Sequence, residues 1–226
     1  MKVAVFVEGL TELELVKSLI TALCGQRNIE FDIREQRGGK LVSVSFSPIL
    51  GATTYVLLVD CHSDDQVKTQ IRDQYPFLIS AGYTYVIGLR DVYPFTQADL
   101  PAIQLGMSVG MPTSGQIPID MHLAVLEVEA WFLDELTHFQ RIDASLTPAA
   151  LASAGFDLAT SVGADWPHPA ETLDNIYRIA RKRYRKKGSH IRRTVGALSF
   201  EEMYVTVRER APTFNLFLDS LEIALF

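Results

Sequence analysis

Three apolar runs, each followed by an acidic residue, constrain most strongly what this chain can fold into. They are residues 3–7 before Glu8, residues 55–59 before Asp60, and residues 83–89 shortly before Asp91. A run that is apolar throughout is typical of a strand buried on both faces, because a strand with one face in water alternates apolar and polar residues. Segments with helical spacing of apolar residues separate the runs. Strands that alternate with helices predict an α/β fold, with a mostly parallel sheet flanked by helices.

The part of the chain after residue 140 has the pattern of helices alone. Helices are predicted for residues 147–154, 171–187, 200–210 and 214–224. We therefore predict an α/β core in residues 1–140 and a C-terminal helical extension in residues 141–226. The extension is expected to pack on the core as an accessory layer, so that the two parts form one structural unit.

Composition predicts a protein with a sizeable core and no membrane segment. Of the 226 residues, 48% are apolar, yet no apolar stretch is long enough to span a bilayer. No basic segment or cleavage site precedes the first apolar run, which argues against a signal peptide. Cys24 and Cys61 lie in apolar contexts without metal-ligand spacing, as buried free thiols of a reducing compartment do. These features predict a cytoplasmic protein without a membrane partner.

Acidic residues are concentrated at the predicted strand ends. They are Glu8, Asp60, Asp91, Glu127 and Glu129. In open α/β sheets, ligands bind beyond the carboxyl ends of the strands. Carboxylates gathered there repel one another, and a hard divalent cation such as Mg²⁺ or Mn²⁺ relieves that repulsion. The alternative for each acid is a solvated residue at the end of a strand.

The predicted metal ligands are Glu8, Asp91, Glu127 and Glu129, with Asp91 as the main ligand. Glu8 is the candidate ligand or general base, and Glu12 faces the same edge because it lies one helical turn further on. The predicted catalytic residues are therefore Glu8, Glu12 and Asp91. Further candidates at the same edge are Asp60, His62 and Asp64. A hydrogen-bonded surface histidine is the alternative for His62.

A basic segment interrupts an otherwise acidic chain. The net charge is −6, yet nine of the 21 basic residues lie between residues 178 and 193, where there is no acid. We call residues 181–187 the basic strip, and its candidate nucleic-acid contacts are Arg181, Lys182, Arg183, Arg185, Lys186 and Lys187. Cations with interleaved aromatic residues suit phosphate neutralisation and base stacking. The alternatives are a solvated helix face, or cations that meet the acidic edge of the same protein or of a partner.

Three motifs carry a resemblance to a known family. Glu8-Gly9-Leu10-Thr11-Glu12, after the first strand, resembles the opening of Toprim domains in the overcoming-lysogenization-defect nucleases. Asp91-Val92-Tyr93 lies where a Toprim domain has Asp-x-Asp. The segment 127–135, with its Glu-x-Glu-Ala-Trp start, resembles the signature of a Toprim-like bacterial family of unknown function. The segments 184–188 and 211–214 are similar to the ending of that family.

The resemblance implies a Toprim-like sheet and divalent-metal phosphodiester chemistry on nucleic acid, often with a partner ATPase in mobile-element defence. One departure is Tyr93, which stands where Toprim enzymes have a second Asp. The first hypothesis is therefore a Mg²⁺- or Mn²⁺-dependent nuclease-like phosphodiesterase. The second is a catalytically idle binding or regulatory partner of an ATPase, which the missing Asp favours. A receiver-like signalling domain is the third, but Glu8-Gly9 lacks the adjacent acids that it requires. The sequence leaves catalytic activity and a homo-oligomeric state open.

Overall fold

The predicted strands form one sheet in the computed structural model, which describes residues 1–25, 27–46, 48–93, 95, 97–112 and 117–226. The strands of this part of the chain are β1 (Lys2–Val7), β2 (Ile29–Arg37), β3 (Lys40–Phe46), β4 (Thr54–Asp60), β5 (Tyr85–Asp91) and β6 (Ile119–Ala124). Their order across the sheet is β3-β2-β4-β1-β5-β6. β1 is parallel to β4 and β5, β2 is parallel to β4, and β2 and β3 form an antiparallel hairpin. The predicted mostly parallel sheet is confirmed.

Helices connect the strands and build most of the chain after β6. Those in the described ranges are α1 (Leu10–Cys24), α2 (Asp64–Ser80), α3 (Leu100–Ser108), α4 (Glu129–Asp134), α5 (His138–Ile142), α6 (Pro148–Ser153), α7 (Pro169–Ile179), α8 (Gly188–Ala197), α9 (Phe200–Glu202), α10 (Arg208–Arg210) and α11 (Pro212–Leu225). A π-helical turn, Met203–Val207, joins α9 to α10. No helix in the described part of the chain combines the length and the apolar character needed to cross a membrane.

The core of the sheet follows from the apolar runs. Residues 3–7 of β1 are completely buried, because parallel strands pair with β1 on both sides and its two faces are covered. On one face, Ala4 and Phe6 pack with residues of β4 and α2. Gly88 of β5 leaves room for this packing, since a Cβ there would lie 2.5 Å from the sulfur of Met121.

The chain divides into two compact units. The first comprises Met1–Arg90, Ala98–Leu123 and Phe217–Phe226, and the second comprises Asp91–Gln97 and Ala124–Leu216. The first unit contains most of the sheet, and the second contains helices α4 to α10. Both units cross the predicted boundary at residue 140, and the division into a core and an extension stays a prediction.

The helix predicted for residues 171–187 ends earlier, and this prediction is wrong for the basic strip. α7 ends at Ile179, and Arg181 then adopts a left-handed conformation with a φ of 57°. The amides of Arg181 and Lys182 donate to the carbonyls of Arg178 and Tyr177, which is the Schellman arrangement that ends helices. The basic strip is therefore an irregular segment between α7 and α8, and α8 itself was not predicted.

Candidate metal centre

Two neighbouring chain segments position three acidic residues in the second unit. Asp91 is the last residue of β5, Glu127 lies in the turn after β6, and Glu129 is the first residue of α4. The amide of Tyr93 donates to the carbonyl of Leu126 at 2.7 Å, which joins the segment leaving β5 to the turn after β6. Leu126 has a φ of 62°, so the chain reverses there before α4 begins.

Each of the three carboxylates has one oxygen held by the surrounding protein. The amide of Val128 donates to Asp91 Oδ1 at 3.0 Å. The amide of Ala170, at the start of α7, donates to Glu127 Oε2 at 2.9 Å. Tyr184 donates its hydroxyl to Glu129 Oε1 at 2.6 Å. These bonds fix the orientation of all three carboxylates.

The second oxygen of each carboxylate faces the amino group of Lys186. Lys186 Nζ lies 3.0 Å from Glu127 Oε1, 3.4 Å from Glu129 Oε2 and 3.7 Å from Asp91 Oδ2. One oxygen from each carboxylate lies within 4.8 Å of the other two. We call the three acidic residues, Asp91, Glu127 and Glu129, the carboxylate cluster. One ammonium faces three carboxylates, so the ionised cluster has an excess of negative charge.

Glu129 is the member of the cluster that is furthest from water. Its side chain is fully buried, and among the described residues Oε2 has no hydrogen-bond partner. Burial raises the pKa of Glu129, and Glu127 raises it further, whereas Lys186 and the Tyr184 hydroxyl oppose the shift. A buried carboxylate oxygen without a hydrogen bond is costly unless a cation compensates it. The cluster therefore favours a cation beside Glu129 Oε2, and in this structure the Lys186 ammonium takes that position at 3.4 Å.

The donor atoms of the cluster fit a metal ion. All three candidate ligands offer carboxylate oxygens, which suit hard cations such as Mg²⁺, Mn²⁺ and Ca²⁺. The hydrogen bonds to the opposite oxygens are of the kind that orients metal ligands. The carboxylate cluster can thus hold a metal ion at Asp91, Glu127 and Glu129.

Asp174 fixes the segment that carries Lys186. Its carboxylate accepts two hydrogen bonds from the Arg183 guanidinium, at 2.9 and 3.0 Å, and one from the amide of Tyr184 at 2.8 Å. Arg178 adds an ion pair at 2.8 Å. Burial acts to raise the pKa of Asp174, but the hydrogen bonds from Arg183, Tyr184 and Arg178 outweigh it and hold that pKa below its usual value. The buried Tyr184 ring is thereby placed beside Glu129.

Gly163 lies against α4 from the connection between α6 and α7. A Cβ at this position would lie 1.9 Å from the carbonyl oxygen of Ala130, so no other residue fits without a backbone shift. The amide of Gly163 and the Arg210 guanidinium both donate to Asp134 Oδ1, each at 3.0 Å. These contacts fix both ends of the short helix that carries Glu129.

A second cluster lies in the first unit. His62 Nδ1 is 3.3 Å from Asp60 Oδ1, and His62 Nε2 is 3.9 Å from Glu35 Oε2. Asp60 is buried, and this burial is the main cause that raises its pKa. Asp64 instead pairs with Arg90 at 2.5 Å. Two of the further candidates therefore lie together, joined by Glu35, which sequence reasoning missed.

The remaining predicted acids belong to the first unit. Glu8 lies in the turn between β1 and α1, and Glu12 is buried in the first turn of α1. Glu8 belongs to the first unit and Asp91 to the second. That the two share a cation stays a prediction. The catalytic roles of Glu8 and Glu12 stay predictions as well.

The basic strip separates into two groups. Arg183 and Lys186 form ion pairs within the protein, with Asp174 and with the carboxylate cluster. Arg181, Lys182, Arg185 and Lys187 are exposed. The contacts of Lys186 match the alternative in which cations meet the acidic edge of the same protein. The sequence signal for these two contacts was the lack of acids between residues 178 and 193, since Arg183 and Lys186 pair with acids outside that segment.

A scan against protein-family models, a search of the curated proteins and a search of the solved structures each returned no match. The likeness to Toprim-like proteins therefore remains a resemblance of motifs, and the function has to be argued from the site.

Proposed function

We propose that this protein is a divalent-metal-dependent phosphodiesterase that acts on nucleic acid, with Mg²⁺ or Mn²⁺ held by Asp91, Glu127 and Glu129. The observation that supports it best is the convergence of one oxygen from each of the three carboxylates. Glu129 Oε2 is buried without a hydrogen bond among the described residues, and the Lys186 ammonium at 3.4 Å is the cation beside it in the structure.

The cluster suits this chemistry because its ligands are oriented in advance. A divalent ion at this position would polarise a phosphoryl oxygen and lower the pKa of a bound water. The protein holds one oxygen of each carboxylate through Val128, Ala170 and Tyr184, so the ligands need little rearrangement. Ionised carboxylates are also stabilised by those three donors.

The exposed cations in the segment that carries Lys186 support a polyanionic substrate. Arg185 and Lys187 flank Lys186 in the sequence, and Arg181 and Lys182 are exposed in the same strip. Cations close to an acidic centre attract phosphates and offset their repulsion by the carboxylates. A nucleic-acid backbone supplies a regular array of such phosphates.

A catalytically idle partner module is the second candidate. Two observations favour it: Lys186 Nζ lies within 3.7 Å of all three carboxylates, and an exposed Tyr93 stands in place of the second Asp. In this alternative the ion pairs with Lys186 take the place of metal, and the protein acts through contacts with a partner such as an ATPase.

The decisive experiment is a cleavage assay with single- and double-stranded DNA and RNA in Mg²⁺, in Mn²⁺ and in chelator. The wild type should cleave only with metal, and Asp91→Asn and Glu129→Gln should each lose most of the activity. Glu171→Gln is the matched control, because it removes an exposed carboxylate from the same unit. Equal cleavage by the wild type and Asp91→Asn would indicate a contaminating nuclease. No cleavage by the wild type would favour the idle module.

A further inference from the structure

The amino group of Lys186 lies where the three candidate metal ligands converge. Asp91 Oδ1, Glu127 Oε2 and Glu129 Oε1 accept hydrogen bonds from Val128, Ala170 and Tyr184. The opposite three oxygens all face Lys186 Nζ. The amino group thus contacts one oxygen of every candidate ligand.

We propose that the Lys186 ammonium is a tethered competitor of the divalent ion, so that metal enters the cluster only when Lys186 leaves it. This inference rests on the metal site of the proposed function and adds a control of its occupancy. Lys186 sets how tightly the site binds metal and couples metal binding to the position of its own side chain.

The distances support exclusion of one cation by the other. Mg²⁺ binds oxygen at about 2.0–2.1 Å, so an ion that shared these three oxygens would lie close to the point that Nζ now occupies. Two cations at such a separation repel each other strongly in a partly buried site. If the divalent ion and the Lys186 ammonium were both present, each would also contact fewer carboxylate oxygens than it would alone.

Movement of the Lys186 side chain does not require the segment to unfold, because the neighbouring residues Arg183 and Tyr184 hold its backbone. The Lys186 side chain is 43% exposed, whereas Glu129 beside it is fully buried. Arg183 and the buried Tyr184 hold the segment through Asp174 and Glu129. Rotation of the Lys186 side chain into solvent therefore leaves these hydrogen bonds in place.

The test is a calorimetric titration with Mn²⁺ alone of three proteins: wild type, Lys186→Gln and Lys187→Gln. Lys187→Gln is the control, because it removes the same charge from the next residue, whereas the ion pairs with the three carboxylates belong to Lys186. Lys186→Gln should bind Mn²⁺ at least about tenfold more tightly than the wild type, since a competing charge in direct contact is lost. The control should change the affinity by less than about threefold, because its effect is screened by solvent.

A measurement on the wild type covers the case in which Lys186→Gln does not fold. Acetylation of the lysines, followed by mass spectrometry, should show that saturating Mg²⁺ speeds the modification of Lys186 relative to Lys187.

Equal or weaker Mn²⁺ binding by Lys186→Gln, or an acetylation rate that Mg²⁺ leaves unchanged or lowers, would overturn the inference and leave the metal site standing. Absence of Mn²⁺ binding in all three proteins would overturn both. Tighter Mn²⁺ binding by Lys186→Gln, without any cleavage of nucleic acid by the wild type, would support the inference and overturn only the proposed phosphodiesterase activity.

Discussion

Replacement of Tyr184 by phenylalanine removes a single hydroxyl from beside the Glu129 carboxylate and keeps the buried ring. The hydroxyl donates to Glu129 Oε1 at 2.6 Å, and Glu129 Oε2 has no hydrogen bond within the described residues. A hydrogen bond to a charged group contributes about 1.5–3 kcal/mol. We therefore expect Tyr184→Phe to lower the free energy of unfolding by about 2 kcal/mol, which for a chain of this size lowers Tm by about 4–8 °C.

Tyr177 provides a matched control. It is also a buried tyrosine, but its hydroxyl donates to a neutral partner, Thr194 Oγ1, at 3.2 Å. Tyr177→Phe should cost only about 1 kcal/mol, the usual net value for a neutral hydrogen bond. Urea denaturation of the wild type and both variants in chelator measures the difference directly.

The pH dependence of the Tyr184→Phe effect adds a second check. The hydroxyl lowers the pKa of Glu129 from the value that burial alone would give, so its loss raises that pKa further. The hydrogen bond stabilises the ionised carboxylate, and its contribution is present above the folded-state pKa of Glu129 and is lost as the pH falls through it. Because burial raises this pKa, the loss should occur at a higher pH than for an ordinary glutamate. A cost of Tyr184→Phe equal to that of Tyr177→Phe at every pH would refute the reasoning.

Three other predictions concern backbone geometry and the basic strip. Arg181→Gly should stabilise the protein by about 1 kcal/mol in urea denaturation, because glycine adopts the left-handed conformation without the penalty of a Cβ, and Arg181→Ala should not. Gly163→Ala should destabilise by about 3 kcal/mol in the same assay and weaken Mn²⁺ binding, since its Cβ would meet a backbone carbonyl of α4; an unchanged unfolding curve would contradict this packing. Replacing the exposed Lys182, Arg185 and Lys187 together by alanine should weaken nucleic-acid binding and flatten its salt dependence in filter-binding assays, with a stability change within about 0.5 kcal/mol. An unaltered salt slope would exclude phosphate contacts by these three residues.

The sheet was predictable because its signal is local. Central parallel strands are apolar on both faces. The apolar pattern therefore predicts strands at residues 3–7, at residues 55–59 and over most of residues 83–89. The acids that follow them are equally local, and three of the acids at predicted strand ends, Asp91, Glu127 and Glu129, do lie together.

The partners of those acids depend on contacts that no local pattern encodes. Tyr184 and Lys186 reach Glu129 across more than fifty residues, through an irregular segment whose course follows from hydrogen bonds to Asp174. The end of α7 was missed because an arginine, and not the usual glycine, takes the left-handed position. Glu35 lies beside Asp60 because of the register between β2 and β4, which the composition of the two strands does not determine.

The hydrogen-bonded carboxylate cluster also bears on how the chain reaches its native state. In small zinc proteins the ligands have no partners before zinc binds, and the chain stays unfolded without the ion. Here each carboxylate already has a donor from the protein, and Lys186 supplies a positive charge from within the same chain. The contacts of the three carboxylates therefore form without a metal ion, and we expect the chain to fold in a metal-poor environment.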